Sequence, residues 1–308
     1  MSLVSVIIPT YNRAQFIVQT VESVLGQTYS PLEIIVVDNN STDDTIERLQ
    51  PYQKHIKLIT EPQQGMGGAY ARNAGIKQAH GEYIGFLDSD DLWYPQKIEK
   101  QMALFAQNPH IAWNYTDSEL FDGYTGQVIY TQSKRHSLQE GDILRSLFVK
   151  NFIPSITPLI RRDVFQMVGV FFPLHKSTDW DMMLRIASLY PIQIVPEVLA
   201  SFRQHSNNVT SETGGQKAIE SIQIVIERAV TRNPELAPLK NQALANNYIA
   251  NGLLLAKKGS RQQARRSFEQ AIRLRPGYLS PYVYWLGALL PQSLIQKAAH
   301  WRRKAMQF

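Results

Sequence analysis

The sequence predicts an α/β fold, a doubly wound and mostly parallel sheet, followed by an all-helical C-terminal region. Three observations carry that reading. Short apolar runs alternate with helix-like stretches from Val4 to Leu87, and the runs are apolar at successive positions, as in strands buried on both faces. Tyr11, Asp38 and Asp88 each follow the end of a different run. From about Gly215 the strand-like runs disappear and only helical patterns remain.

Taken in order, Val4-Ser5-Val6-Ile7-Ile8 is the first expected strand, closed by Pro9-Thr10-Tyr11-Asn12. A helix from about Ala14 to Leu25 follows, with Phe16, Val21, Val24 and Leu25 on one face. Leu32 to Val37 forms the second strand and ends at Asp38-Asn39-Asn40-Ser41. A short helix begins at Ser41 or Thr42, with Asp43 and Asp44 in its favourable first turn. His55 to Ile59 is the third strand. Gly65-Met66-Gly67-Gly68 leads into an Ala-rich helix through Ala79, and Tyr83 to Leu87 is the fourth strand. Beyond Pro95 the pattern predicts a helix to Ala106, a strand over 111–115, a hairpin turning at Asp122-Gly123 or Thr125-Gly126, and a helix from about Glu140. A helix start at Arg161-Arg162-Asp163, an amphipathic helix from Ser177 to Leu189 and a late strand over 192–195 complete the domain, with a polar loop running to Gly215.

The hexamer Phe86-Leu87-Asp88-Ser89-Asp90-Asp91 places three carboxylates just past the fourth strand. Like charges this close need a cation or a set of donors. All-oxygen ligands favour a hard divalent ion, Mg²⁺ or Mn²⁺, shared with substrate phosphates. An acidic helix cap is the other reading of Asp90 or Asp91. Ligands of doubly wound sheets bind off the carboxyl ends of the strands, so Tyr11, Asp38 and Asp88 converge on one edge, which favours a site. Tyr11 is able to stack a nucleobase or to pack at the strand end, and Asp38 to accept from a base imide or to close a turn.

Composition narrows the chemistry. The 308 residues contain no cysteine, which excludes disulfides, zinc–thiolate sites and thiol nucleophiles. No secretory signal is visible at the N-terminus and no apolar run is long enough to span a bilayer, so a cytoplasmic location is expected. Charge is uneven: Lys257 to Phe308 holds eleven Lys/Arg against the single acid Glu269, leaving twenty-one against twenty-five in the remainder. An anionic membrane surface, nucleic acid or plain solvated helix faces would each account for such a tail.

The ordered motifs resemble the family 2 glycosyltransferases. Val4 to Arg13 is similar to that family's opening strand and loop, and Glu33 to Asp43 to its second. Gly65 through Ala71-Arg72-Asn73-Ala74-Gly75, the acid hexamer, Thr178-Asp179-Trp180-Asp181 and Arg203-Gln204-His205 follow in the family's order, over roughly residues 3 to 210. The resemblance implies a GT-A-type fold over residues 1–214, with residues 215–308 as a helical extension. It implies a nucleotide-sugar donor carrying UDP or dTDP, gripped by Pro9, Tyr11, Asn12, Asp38, Arg72, Asp88 and Arg203. It implies a Mn²⁺ or Mg²⁺ ion held by Asp90, His205 and Asp88, with Asp91 capping the next helix. Asp179 is the expected base for the acceptor hydroxyl, Asp181 the runner-up, and single displacement implies inversion. Trp93 and Trp180 are open to stacking an acceptor sugar or to core packing. The acceptor is expected to be a glycan or a lipid-linked sugar, and no nucleic acid is expected as partner.

In the C-terminal region Tyr248, Gly252, Leu255, Ala264, Phe268, Ala271 and Pro276 fall at the spacing of a single tetratricopeptide repeat. The apolar stretch Tyr282 to Leu290 then joins the basic Leu294 to Lys304, where Trp301 beside Arg302-Arg303-Lys304 suits a peripheral membrane contact. Two rivals to an enzyme of this family are a nucleotidyltransferase and a non-catalytic sugar-nucleotide or scaffold protein. The first lacks its Gly-rich basic loop after strand one, and the second leaves the acids without a purpose.

Overall fold

The computed structural model describes residues 1–60, 67–205 and 215–289. Gly65 and Met66, the loop over 206–214 and the basic stretch from Leu294, including Trp301, lie outside them. The chain divides into two compact units, Met1–Leu147 with Asn151–Asn208, and Phe148–Lys150 with Val209–Phe308.

The first unit is built on one nine-stranded sheet. Strands β1 (Val4–Thr10), β2 (Leu32–Asp38), β3 (Lys57–Thr60) and β4 (Tyr83–Phe86) run parallel in the order β3-β2-β1-β4. Helices α1 (Ile17–Leu25), α2 (Thr45–Leu49) and α3 (Gly67–Gln78) make the crossovers. The strand order reverses at β1, so a crevice opens between the ends of β1 and β4, above Tyr11 and Asp88. Helix α3 packs close on β1 because residue 75 is glycine: a Cβ there would sit 2.4 Å from the Ile7 side chain.

Beyond β4 the sheet becomes mixed. Strand β8 (Leu159–Arg161) is antiparallel to both β4 and β6 (Trp113–Asp122), whereas β6 and β9 (Gln193–Gln204) are parallel. Two elements are longer than their apolar runs suggest. β6 continues to Asp122 through polar residues, and β9 continues past Pro196 to Gln204, because each lends the other a register of hydrogen bonds from Asn114↔Gln193 to Asp122↔Gln204. A two-residue strand, β5 (Leu92–Trp93), pairs antiparallel with β9, and β7 (Val128–Thr131) forms the hairpin with β6. Helices α4 (Lys97–Gln107), α6 (Val164–Val168) and α7 (Thr178–Ala187) also belong to the unit, as does the first part of α5 (Leu144–Val149).

The described part of the second unit is helical: Gln216–Arg232, Lys240–Lys257, Arg261–Leu274 and Leu279–Gly287. The second and third of these cross closely where Gly252 meets the Phe268 ring, a Cβ there standing 2.4 Å from the ring edge. Leu255, Ala264, Phe268 and Ala288 form the small core of the unit.

Candidate active site

The acids past β4 are folded into a tight turn, with the Asp91 amide donating to the Asp88 carbonyl at 3.0 Å. β5 then pairs Leu92 with Ser201 and Trp93 with Ala200, so the turn falls opposite the last residues of β9. The Arg203 amide donates to Asp91 Oδ1 (2.9 Å), and the Arg203 Nε to the Asp90 carbonyl (2.7 Å). His205 Nε2 and Asp90 Oδ2 lie 3.0 Å apart, with the imidazole stacked on Phe16. Arg13 Nε reaches the same Asp90 oxygen at 3.1 Å. Burial alone would raise the Asp90 pKa, but the His205 hydrogen bond and the Arg13 charge together hold it below the ordinary carboxylate value.

The first two loops are stitched to each other at the same edge. Asn12, at a left-handed φ of 51°, accepts the Thr42 amide on its Oδ1 (2.8 Å) and donates its own amide to Ser41 Oγ (2.9 Å). Asp38, 1% exposed, accepts the Ser41 amide at 2.9 Å, so it closes the turn at the end of β2. Thr10 pairs with Asp38 in the ladder, and its buried hydroxyl has no partner among the described residues. Pro9 is in register with Val37 one residue before the end of β1, and Tyr11, just past the strand, is 49% exposed.

The far side of the acid turn faces α3 and α7. Arg72 donates to Asp88 Oδ1 at 2.5 Å, and the Ser155 hydroxyl lies 3.3 Å from Asp88 Oδ2. Arg72, Ser155 and Asp179 line one cavity, floored by Phe171 and two methionines of α7. Asp179 is in the first turn of α7, after Ser177 in a left-handed conformation (φ 63°) that a serine rarely adopts. Burial of its carboxyl raises the Asp179 pKa, and the nearby Arg72 charge opposes that rise. Two residues on, Asp181 is fully enclosed and bonded to Arg185 Nε at 3.0 Å, while the same guanidinium donates to the carbonyls of Val168 and Val170. This pair fixes α7 to the turn after α6 and cannot present a base.

Several expectations change here. Asp88 accepts from Arg72 and lies beside Ser155, and among the described residues no group of three His, Asp or Glu is gathered for a metal. Arg203 is buried, its guanidinium 4.9 Å from the Phe16 ring and 4.9 Å from the Phe121 ring. It also donates to Gln19. Its bonds to Asp90 and Asp91 prop the acid turn. Asp91 caps no helix: α4 begins only at Lys97, and Asp91 holds β9. Trp93 and Trp180 are core residues whose indole N–H groups donate to the Ile156 and Leu147 carbonyls. His205, expected in a polar loop, is buried beside Phe16. Two residues of the site were not singled out: Arg13, which the Tyr11-Asn12 loop carries, and Ser155, for which no local pattern exists.

The residues present still suit a divalent ion. An imidazole nitrogen and a carboxylate oxygen already converge at 3.0 Å, and Mg²⁺ or Mn²⁺ sites at diphosphates commonly use one or two protein ligands with the rest from phosphate and water. The imidazole favours Mn²⁺ over Mg²⁺, since nitrogen is the softer donor. Asp90 and His205 are therefore the residues that would hold it.

A sheet with an aromatic and acids at its switch point, and a cavity beside a buried carboxylate, mark the candidate active site of an α/β enzyme. The glycosyl transferase family 2 model matches residues 5–169, and the chain belongs to that family. It is 33% identical over 213 residues to an uncharacterised glycosyltransferase of Rickettsia typhi, covering 68% of this chain and 66% of the relative, just under two thirds of its length. It is 42% identical over 217 residues to a putative teichuronic acid biosynthesis glycosyltransferase, TuaG, of Bacillus subtilis, covering 68% and 82%. Its fold is similar to S. aureus TarS 1-349 in complex with UDP-GlcNAc (TM-score 0.64, 21% identity, 94% of this chain and 80% of that one). It is similar also to the mannosyltransferase PcManGT of Pyrobaculum calidifontis in complex with GDP-Man and Mn²⁺ (0.59, 20%, 96% and 79%). The fold is GT-A.

Proposed function

We propose that the protein is a metal-dependent, inverting glycosyltransferase that moves a sugar from a UDP or dTDP donor to a hydroxyl of a glycan or lipid-linked acceptor. The observation that carries this reading is the pairing of two environments on one sheet edge: Asp90 held ionised by Arg13 and His205, and Asp179 raised by burial beside Arg72. Fold neighbours crystallised with UDP-GlcNAc, and with GDP-Man and Mn²⁺, support a nucleotide-sugar donor and a divalent ion.

The roles follow from position. Tyr11 stacks the base, and Pro9, Asn12 and Asp38 shape its slot at the end of β1 and β2. Asp88 meets the ribose, with Arg72 beside it. Asp90 and His205 hold the ion, which when bound neutralises charge on the diphosphate. Arg13, on the same Asp90 oxygen, is placed to turn its guanidinium to a phosphate. Asp179 accepts the proton of the acceptor hydroxyl as that oxygen attacks the anomeric carbon from the face opposite the departing diphosphate, which inverts the configuration.

The helix pair Lys240–Lys257 and Arg261–Leu274 is read as a tetratricopeptide-like hairpin, supported by its close crossing at Gly252. Among the described residues no helix is long and apolar enough to cross a membrane. The basic C-terminal stretch supports peripheral attachment to an anionic leaflet, which pelleting of full-length and 1–280 chains with liposomes would test; equal pelleting ends that idea.

The test of the main reading is thermal shift with nucleoside diphosphates, with and without Mn²⁺, followed by sugar-nucleotide hydrolysis. A ligand that binds only the native state raises the melting temperature. UDP or dTDP is expected to do so more strongly with the ion, and hydrolysis is expected to vanish in Asp90→Ala and Asp179→Asn.

A further inference from the structure

The cavity at Asp179 has a composition unusual for a place that meets a sugar. Its rim is polar, with Arg72, Ser155 and Asp179, but its floor is made by Phe86, Ile160, Phe171, Met182 and Met183. All five floor residues are buried, and Phe86 and Phe171 pack edge to face at 5.1 Å. The space is about 10 Å³, room for one water-sized group. Water is a poor occupant of the floor, because it needs two to four polar partners and only the rim groups offer any. A sugar hydroxyl pressed against that floor would likewise lose its hydrogen bonds. A methyl group is close to water in size and asks for none. The two methionines supply adaptable, unbranched walls that close around such a group.

The position says which molecule brings it. Ser155 touches Asp88 and lines the cavity, and Asp179 lines it from the other side. If Asp88 meets the donor's ribose and Asp179 the acceptor's hydroxyl, the ring in transit lies between them, directly over this opening. We propose that the cavity receives a methyl carried by the transferred sugar: the acetyl methyl of an N-acetyl sugar or the C6 methyl of a 6-deoxy sugar. The inference rests on the glycosyltransferase reading and narrows its donor to methyl-bearing sugars.

The experiment compares matched donors on the full chain, with UDP and dTDP as reference ligands. UDP-N-acetylglucosamine is set against UDP-glucose, and dTDP-6-deoxyglucose against dTDP-glucose, by calorimetric binding and by donor turnover. In one pair the methyl-bearing donor is expected to win by about tenfold or more, the discrimination a single apolar group gives in a closed pocket. The winning pair tells the acetyl from the C6 methyl. Equal affinity and turnover within both pairs, or preference for the hydroxyl donors, overturns the proposal while UDP or dTDP binding keeps the enzyme reading intact. Failure of every nucleotide to bind overturns both. Met183→Ala adds an independent arm: widening the floor should raise acceptance of an N-propanoyl or 6-C-methyl analogue relative to its parent, and no change in that ratio counts against the pocket. The wild-type comparison decides even if this variant does not fold.

Discussion

Asp90 and Asp179 are carboxylates on one rim with opposite surroundings. Asp90 shares an oxygen between Arg13 and His205, so its negative charge is compensated before any ligand arrives. Asp179 stands at the mouth of an apolar cavity, and its one nearby cation, Arg72, already bonds Asp88. Burial pushes both pKa values up, yet only Asp90 has hydrogen-bonding cations strong enough to reverse the push. On the proposed assignment, the neighbours' geometry is what makes one acid the ion's holder and the other the proton acceptor, since the residue type is the same.

The largest expected effect comes from removing the proton acceptor. Asp179→Asn should lower kcat by about 10²- to 10⁴-fold, the usual contribution of a positioned base, with donor affinity little changed. Its stability should hold or rise slightly, because the amide resembles the protonated acid that burial favours. Asp181→Asn, two residues away, should do the reverse. It leaves Arg185 buried without its carboxylate, and loss of one partner of a buried pair costs about 3 kcal/mol. Urea titration and single-turnover transfer on the two variants separate the roles, and matching profiles would dissolve the contrast.

Next in size is Asp90→Asn, expected to lower transfer about 10²-fold, in the range seen when one electrostatic contact is removed at a developing charge. The diagnostic readout is loss of the Mn²⁺-dependent increment in nucleotide thermal shift, which Asp179→Asn should retain. If both variants keep that increment, Asp90 is not the ion's ligand.

Much of this arrangement was legible before any coordinates. Three of the four parallel strands, β1, β2 and β4, announce themselves because they are largely buried and apolar, and the chemistry-bearing residues sit where such strands end. The second half was harder for a physical reason. β9 alternates and carries Pro196, Glu197 and Arg203, so its central residues look like loop; only pairing with β6 makes it a strand. That pairing is long-range, and together with the pairing of β5 to β9 it sets Arg203 and His205 against the acid turn. Arg203, matched to a diphosphate contact through the family's motif, is flanked by Phe16 and Phe121, rings that come from distant segments. Ser155 belongs to the same class, significant through its neighbours and invisible in its own segment.

The smallest effect is also the sharpest probe of the comparison. A base works deprotonated, so transfer should fall as pH drops through the Asp179 pKa, and burial places that acidic limb above the ordinary carboxylate range. The positive charge of Arg72 lowers the same pKa, while the charge of Asp88 raises it. Arg72→Gln removes the first and unmasks the second, so both changes act in one direction: the limb of kcat against pH should move to higher pH. Activity should then be lost more on the acidic limb than on the alkaline plateau of the profile, where Asp179 is ionised in either protein. Arg13→Gln, on the Asp90 side, should weaken donor binding and leave the limb where it was. If the limb follows Arg13 instead of Arg72, the proton acceptor sits at the other end of the acid turn, and the two carboxylates have exchanged roles.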